Sequence, residues 1–438
     1  MRQMHLCGFL IAGPVSHSHA LWRNPAHDTP FLALDFYLQI ARTLERGKFD
    51  FVFFADRLGI ADRYGRNLEV GIRYDDQDAT RLDPVPLLGA MATVTRHLGL
   101  GATRSTTYDQ PYHIAREFAT LDHLSGGRAA WNVVTSMNDS EALNFGLETH
   151  LDHERRYDRA DEFVELTCKL WRSWDSDALV LDKARGIYAD PSRVHYVHHA
   201  GRWFRSRGPL NIPPMPQARP VIIQAGSSGR GQAFAARWAD VIFTIQQTPD
   251  QMQHYYHAVK AQLPTYGRRP EDCHILTAIM PFVAGTRAEA ERKRDAHNAL
   301  IHPLVGLSTL SSHSNVDFSQ HPPDVPLANV QSSGTQGLFA SVLRLTQEQG
   351  LTLGEIGMVY GRGVLVPQIA GTAAEIADYM QAIVEAEASD GFVISPAFLP
   401  DSFEEFVDYV VPELQRRALF RTAYASRRLR DHLALAPL

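Results

Sequence analysis

Cysteine is scarce in this sequence of 438 residues. Cys7, Cys168 and Cys273 are far apart and form no C-x-x-C pair. That fits a reducing, cytoplasmic compartment best. Charge of one sign is scarce too. A total of 43 Lys and Arg against 49 Asp and Glu leaves a formal net charge of -6. This argues against nucleic acid or an anionic membrane as the main partner. No apolar run approaches the ~20 residues needed to span a bilayer. No internal repeat and no low-complexity tract is visible. A secretory leader is suggested only faintly, by Arg2, the apolar Leu6 to Gly13 and Ser18-His19-Ala20. The region before the apolar segment carries one Arg, and Pro14, His5, His17 and His19 interrupt or flank it. The stretch is read instead as a first core strand.

What is present is a globular composition, 45% hydrophobic and 21% charged. Its most informative stretch is Arg219 to Gly231, R-P-V-I-I-Q-A-G-S-S-G-R-G. Val221, Ile222 and Ile223 read as a buried parallel strand. Gly226 allows a sharp exit, Ser227 and Ser228 offer hydroxyls and N–H groups, and Gln232 to Ala239 reads as a helix. Backbone donors at a helix start make an anion site, so the stretch is a candidate phosphate cradle. The bland alternative is an ordinary turn of small residues. No Lys-Ser/Thr follows Gly231, so it is not a Walker loop, and G-x-G-x-x-G after a first strand is missing.

Strand and helix patterns alternate along most of the chain. Predicted strands are Met4 to Ile11, Phe49 to Ala55, Leu98 to Thr103, Ala129 to Val134, Pro220 to Gln224, Asp240 to Thr244, His274 to Val283 and Gly391 to Ser395. Predicted helices include Leu32 to Arg46, Val85 to His97, Ile114 to Leu124 and Arg155 to Trp174. Thr286-x-x-Glu289, Thr372-x-x-Glu375 and Ser402-x-x-Glu405 read as capping boxes, and Thr248-Pro249 as a helix start. The fold class expected is α/β, a (β/α)8 TIM barrel with insertion loops, and an open doubly wound sheet is the alternative. The chain is read as one domain over 1–438, with insertions near 57–81, 175–218 and 299–333. The last two lack periodicity and read as loops over the barrel mouth. The first carries five arginines but also Asp62, Glu69, Asp75, Asp76 and Asp78, and reads as a solvated mixed-charge face.

In a barrel the chemistry sits at the C-terminal strand ends. Here those ends are Gly13 to His19, Phe54-Ala55-Asp56, Thr103 to Thr107, Asn132 to Ser136 and the serine-glycine loop. They are mostly uncharged hydrogen-bonders, which suits a large polar ligand with one phosphate better than a metal centre.

Motifs along nearly the whole chain resemble a known family. They include His19-Ala20-Leu21-Trp22-Arg23, Thr120-Leu121-Asp122-His123-Leu124-Ser125, Trp131-Asn132-Val133-Val134-Thr135-Ser136, His153-Glu154-x-Arg156-Tyr157 and Gln224-Ala225-Gly226-Ser227-Ser228. The chain resembles the bacterial-luciferase-like FMN-dependent monooxygenases, in particular the nitrilotriacetate monooxygenase component A group. The resemblance implies reduced FMN (FMNH2) delivered by a separate NAD(P)H-dependent flavin reductase, O2 as co-substrate, and a homodimer or homotetramer. It implies flavin contacts at Asp56, Thr103, His153, Tyr157 and Ser227, with Asn132 beside the isoalloxazine and Ser228 beside the phosphate. The residues agree in part. Ser227 and Ser228 sit at the expected helix start, and His153 and Tyr157, four apart, share a helix face.

His17 and His19 are the general-acid or base candidates, and His313 is a further one. Alkane-oxidising relatives carry a Cys near the end of strand one, where this chain has Ala12-Gly13-Pro14-Val15-Ser16. A long-chain alkane is therefore disfavoured. Met137 follows the W-N-V-V-T-S motif, an apolar neighbour. Amine, carboxylate, sulfur compound and heterocyclic xenobiotic remain open as substrates. Three rivals stand beside this reading: a non-catalytic flavin-binding protein, a deazaflavin enzyme, and a metal-dependent hydrolase built on His17-x-His19. The last lacks further ligands at the other strand ends.

Overall fold

Eight parallel strands close into a barrel: β1 His5–Ile11, β2 Phe51–Ala55, β3 Gly99–Ser105, β4 Ala129–Val134, β5 Val221–Gln224, β6 Val241–Thr244, β7 His274–Val283 and β8 Gly391–Ile394. Each pairs with the next, and β8 returns to β1 with His5 opposite Gly391. That closure rules out the open doubly wound sheet. All eight strands lie where the sequence places them. The structure, a computed structural model, describes residues 3–436 apart from 27, 76, 328, 329, 331 and 333, and without the side chain of Gln336. Arg2 and Asp76, named above, and the last residue of the 299–333 stretch lie outside the described residues.

The strands are continuous apolar runs because both of their faces are covered. Cys7, Phe9, Phe51, Phe53, Ala130, Val221 and Ile223 point inward and fill the barrel. Their neighbours Leu6, Leu10, Val52, Phe54, Trp131 and Ile222 point outward and pack under the helices. This period of two is the pleat itself. The lower end is plugged by Leu429 and Leu433 from the C-terminal segment.

The helices follow from local signals. Helix α1 spans Leu34–Arg46, α2 Pro84–Val94, α3 Pro111–Ser125 and α4 His153–Trp171. Helix α5 covers Gly229–Trp238, and α6, Pro249–Lys260, starts at Thr248 as expected. Between β7 and β8 come α7 Arg287–Ala299, α8 Pro303–Ser314, α9 Gln336–Gln349, α10 Leu353–Gly363 and α11 Ala373–Glu385. The Thr286/Glu289 and Thr372/Glu375 boxes form as read, and a third forms at Thr352/Glu355. The box expected at Ser402 does not form. Its hydroxyl instead accepts from the Ala397 and Phe398 N–H groups, turning the chain that leaves β8.

The three insertions differ from their readings. Residues 57–81 are a solvated mixed-charge face only in part: Asp62, Arg66, Glu69 and Arg73 are exposed, but Arg57, Asp78 and Arg81 are drawn inside. The Arg57 and Arg81 side chains are each 8% exposed and both pair with the buried Asp78. Residues 175–218 form two small antiparallel hairpins, Leu179–Asp182 with Ile187–Ala189 and His199–Ala200 with Arg205–Ser206. Residues 299–333 hold helix α8, of which Val305 through Ser314 are buried. A helix buried all round shows no amphipathic period. Its small residues allow close packing on α10, where a Cβ at Gly306 would stand 1.8 Å from the Gly357 carbonyl oxygen.

Candidate active site

The upper strand ends enclose a cavity of about 610 Å³ lined by residues from β1 to β4 and β6, from the loop after β5, and from α6, α8 and α9. Asp56, Thr103, Asn132, Ser227 and His17 all contribute to its wall. Thr103 and Asn132 are register partners on β3 and β4. Asn132 Nδ2 donates to Thr103 Oγ1 at 2.8 Å, and Thr103 Oγ1 donates to the Phe54 carbonyl at 2.8 Å. The other end of the amide is different: Asn132 Oδ1 is buried and has no partner. A buried acceptor left bare costs about 1–3 kcal/mol. Such an atom in a cavity wall marks where a ligand's N–H belongs.

At the β5 end the cradle forms as read. Ser228 caps α5, its hydroxyl accepting from the Gly231 N–H at 3.1 Å. Its Oγ also meets His153 Nε2 at 3.2 Å. His153 stacks edge-on against Tyr157, whose hydroxyl lies so near that a Cβ at Gly231 would stand 2.8 Å from it. His153, Tyr157 and Ser228 therefore form one cluster at the helix start, joined to the cavity through Ser227. Helix α9 presses on the same loop at Gly337, where a Cβ would fall 2.0 Å from Ser227 Oγ. Free N–H groups and the positive end of the dipole suit a phosphate.

Asp56 sits at the end of β2. Burial pushes its carboxyl up to about 6 against the pull of Arg81 and Arg104. The Arg57 N–H donates to its Oδ1 at 2.9 Å, and Arg104 stands 3.7 Å from Oδ2. Arg104 is already committed to Glu117 and Asp83.

The two histidines of the first strand end part company. His17 lines the cavity, stacked on Phe9 with centroids 3.8 Å apart, and its Nδ1 is bonded to Ser395 Oγ. Burial lowers its pKa to about 3, so the ring is neutral. His19 does not line the cavity. Its Nδ1 is bonded to the Gly361 carbonyl at 2.8 Å and its Nε2 to Thr309 Oγ1 at 2.7 Å. Neither nitrogen is left for proton transfer, and the pair offers no site for a metal-bound hydrolase. Among the described residues no group of three His, Cys, Asp or Glu side chains is placed to hold a metal ion.

The cavity floor went unread in the sequence. Phe9, Phe53 and Phe243 meet there, with Phe9 to Phe53 at 5.3 Å and Phe53 to Phe243 at 5.7 Å. Their signal was the inward parity of alternate strand residues. Arg57 and Arg81 also line the cavity. Burial pushes the Asp78 carboxyl up, but Arg57 and Arg81 outweigh it and hold it below its usual value. None of residues 175–218 lines the cavity, so that insertion is not its cover. Helices α8 and α9 are.

The polar wall fits FMN. Ser227, Ser228 and the α5 start would hold the phosphate, while Thr103, Asn132 and Asp56 would meet the polar edge of the ring.

Comparison with known proteins agrees with this geometry. The family model described as luciferase-like monooxygenase matches residues 16–390. Dibenzothiophene-sulfone monooxygenase of Rhodococcus erythropolis (strain XP) is 51% identical over 439 residues, covering 99% of this chain and 97% of its own. Nitrilotriacetate monooxygenase component A of Aminobacter aminovorans is 42% identical over 444 residues, covering 99% and 97%. A crystal structure of a riboflavin lyase with modified FMN and riboflavin superposes with a TM-score of 0.91 at 34% identity, covering 99% of this chain and 96% of its own.

Proposed function

Because this chain belongs to the luciferase-like monooxygenase family, we propose that it is the oxygenase component of a two-component system. It takes FMNH2 from a separate NAD(P)H-dependent flavin reductase and places one atom of O2 into a small aromatic sulfur compound. The observation that carries the flavin reading is the bare Asn132 Oδ1 in a cavity that begins at the Ser228-capped helix. When bound, reduced FMN supplies the electrons that activate O2. The chain's own residues bind, orient and exclude water. The α5 start takes the phosphate. Asn132 Oδ1 accepts from a ring N–H, and Asp56, protonated in part near neutral pH, offers a carboxyl proton beside it. Phe9, Phe53 and Phe243 form a dry aromatic floor. A flat, fused aromatic frame would stack there at little polar cost.

The aromatic floor and the 51% identical relative named for dibenzothiophene sulfone together support the substrate class. The test is anaerobic titration with FMNH2, then mixing with 18O2 and dibenzothiophene sulfone. One labelled oxygen atom in the product supports the reading. FMNH2 that binds but oxidises without labelling any product overturns it in favour of a flavin-binding role.

A further inference from the structure

Among the described residues the cavity wall holds one sulfur atom, that of Met137. Met137 is half-buried and stands on the strand exit that carries Asn132. Its backbone is fixed. Ser136, the residue before it, is held at a φ of 59°, in the left-handed region that few side chains adopt. The buried Glu141 secures that turn, accepting from Ser136 Oγ at 3.0 Å and from the Met137 N–H at 3.2 Å. Two donors then close on the thioether. Thr335 Oγ1 donates to Met137 Sδ at 3.0 Å, and Arg57 Nη2 donates to it at 3.4 Å.

A thioether is a weak acceptor, so both donors are poorly matched to it. Thr335 is the N-cap of α9, yet its hydroxyl makes no cap bond, although such a bond is worth about 1 kcal/mol. Its N–H is anchored to the His313 carbonyl at 2.8 Å, which leaves the hydroxyl aimed at the sulfur. Arg57 is charged, and a charged donor gives its full strength only to a strong acceptor. A sulfoxide oxygen is a strong acceptor. The same two donors would therefore hold Met137 better with one oxygen atom on its sulfur. The thioether is also the soft, polarisable group of this wall, since none of the three cysteines lines the cavity.

We propose that Met137 is an oxidation site, which takes one oxygen atom at Sδ when FMNH2 and O2 react in a cavity without substrate, and that Thr335 and Arg57 hold the resulting sulfoxide. This rests on the oxygenase reading above. The step balances with the reactants of that reading: thioether, O2 and FMNH2 give sulfoxide, water and FMN. An S–O bond forms and the O–O bond breaks. The sulfur gives up two electrons. FMNH2 supplies the other two with two protons, which leave with the second oxygen atom as water. The sulfoxide is polar and chiral, and donors fixed about the sulfur favour one epimer. Because Thr335 begins α9, the sulfoxide fastens the cover of the cavity to the β4 exit. A methionine sulfoxide reductase restores the thioether.

The experiment takes the protein through repeated cycles with FMNH2 and 18O2, without substrate and with catalase to remove peroxide. Peptide mass spectrometry then locates the label. Met137 should gain one labelled atom. Met358, the other half-buried methionine among the described residues, lies outside the cavity wall and should stay unlabelled. One of the two epimer-specific methionine sulfoxide reductases should remove the label and the other should not. Thr335→Val should lower the label and mix the epimers. FMN should leave the labelled protein more slowly than the unlabelled one. The same cycles with saturating dibenzothiophene sulfone should move the label from Met137 to the product. Equal label on Met137 and Met358, or equal amounts of both epimers, overturns the proposal. Unchanged FMN release overturns the fastening of the cover. Label in the product, but none on Met137 when substrate is left out, overturns the oxidation site and leaves the oxygenase reading standing. Label on neither overturns both.

Discussion

Asn132 and Thr103 are joined side chain to side chain across adjacent strand ends, the amide donating to the hydroxyl at 2.8 Å. That bond fixes which way the amide faces. It holds Oδ1, the atom without a partner, as an acceptor in the cavity wall. Asn132→Leu should weaken FMN and FMNH2 binding by about 10-fold, the worth of one buried hydrogen bond. Thr103→Val should weaken them less, because it frees the amide without removing it. Fluorescence titration of each variant checks both.

The phosphate end is separable from the ring end. Ser228→Ala removes the cap of α5 and the hydroxyl beside His153. Loss of such a cap costs about 1 kcal/mol of stability, read by denaturant unfolding. The affinity for FMN should fall while that for riboflavin, which has no phosphate, should not. Equal losses for both ligands would remove the phosphate from this helix start.

Gly337 tests the cover of the cradle. A Cβ there would fall 2.0 Å from Ser227 Oγ, 2.7 Å from its Cβ and 2.9 Å from its carbonyl carbon, so rotating the serine is not enough and Gly337→Ala must push α9 and the loop apart. Weakened FMN binding with unchanged far-ultraviolet circular dichroism is expected.

Asp78 sits between two arginines inside the protein. Asp78→Asn leaves the buried Arg57 and Arg81 charges facing each other without their counter-ion. Breaking such a pair costs about 3–5 kcal/mol, and the midpoint of urea unfolding at neutral pH should fall accordingly. Replacing all three by apolar residues should cost less than the single change.

Acid should destabilise the fold before most of its carboxylates protonate. Burial lowers the pKa of His17 to about 3, and those of His19, His274 and His297 to about 4. Unfolded, each would bind a proton below about 6.5. A depressed histidine binds fewer protons folded than unfolded, so stability is lost as pH falls from about 6.5 towards 4. Asp56 and Asp122, raised to about 6 by burial, act in the opposite sense over the same window. The four histidines outnumber them. The urea midpoint at pH 5 should lie below that at pH 7.5.

The barrel was legible because its strands are buried on both faces and bounded by turns, so each appears as a short apolar run. The capping boxes at Thr286 and Thr372 were legible because they are local, a side chain and a backbone N–H three residues apart. The Ser402 pattern failed for the same reason it tempted: a nearby turn competed for the same hydroxyl. Helix α8 was missed because burial on every side erases the period that reveals a helix.

The sequence by itself determined the strand positions, the polar character of the strand ends and the serine-rich helix start, since each rests on residues close together along the chain. It could not tell a solvated charge from a buried one, or a free imidazole nitrogen from a spent one. Arg57, Asp78 and Arg81 look like surface until a helix more than two hundred residues on covers them. His17, His19 and His313 are alike as letters. Only the tertiary structure decided that His19 has both nitrogens bonded, that His17 lies stacked on Phe9 in the cavity, and that His313 has one nitrogen bonded and the other without a partner. The physical reason is that each outcome is set by a distant partner — Gly361 and Thr309, Ser395, Tyr360 — which packing alone brings within reach.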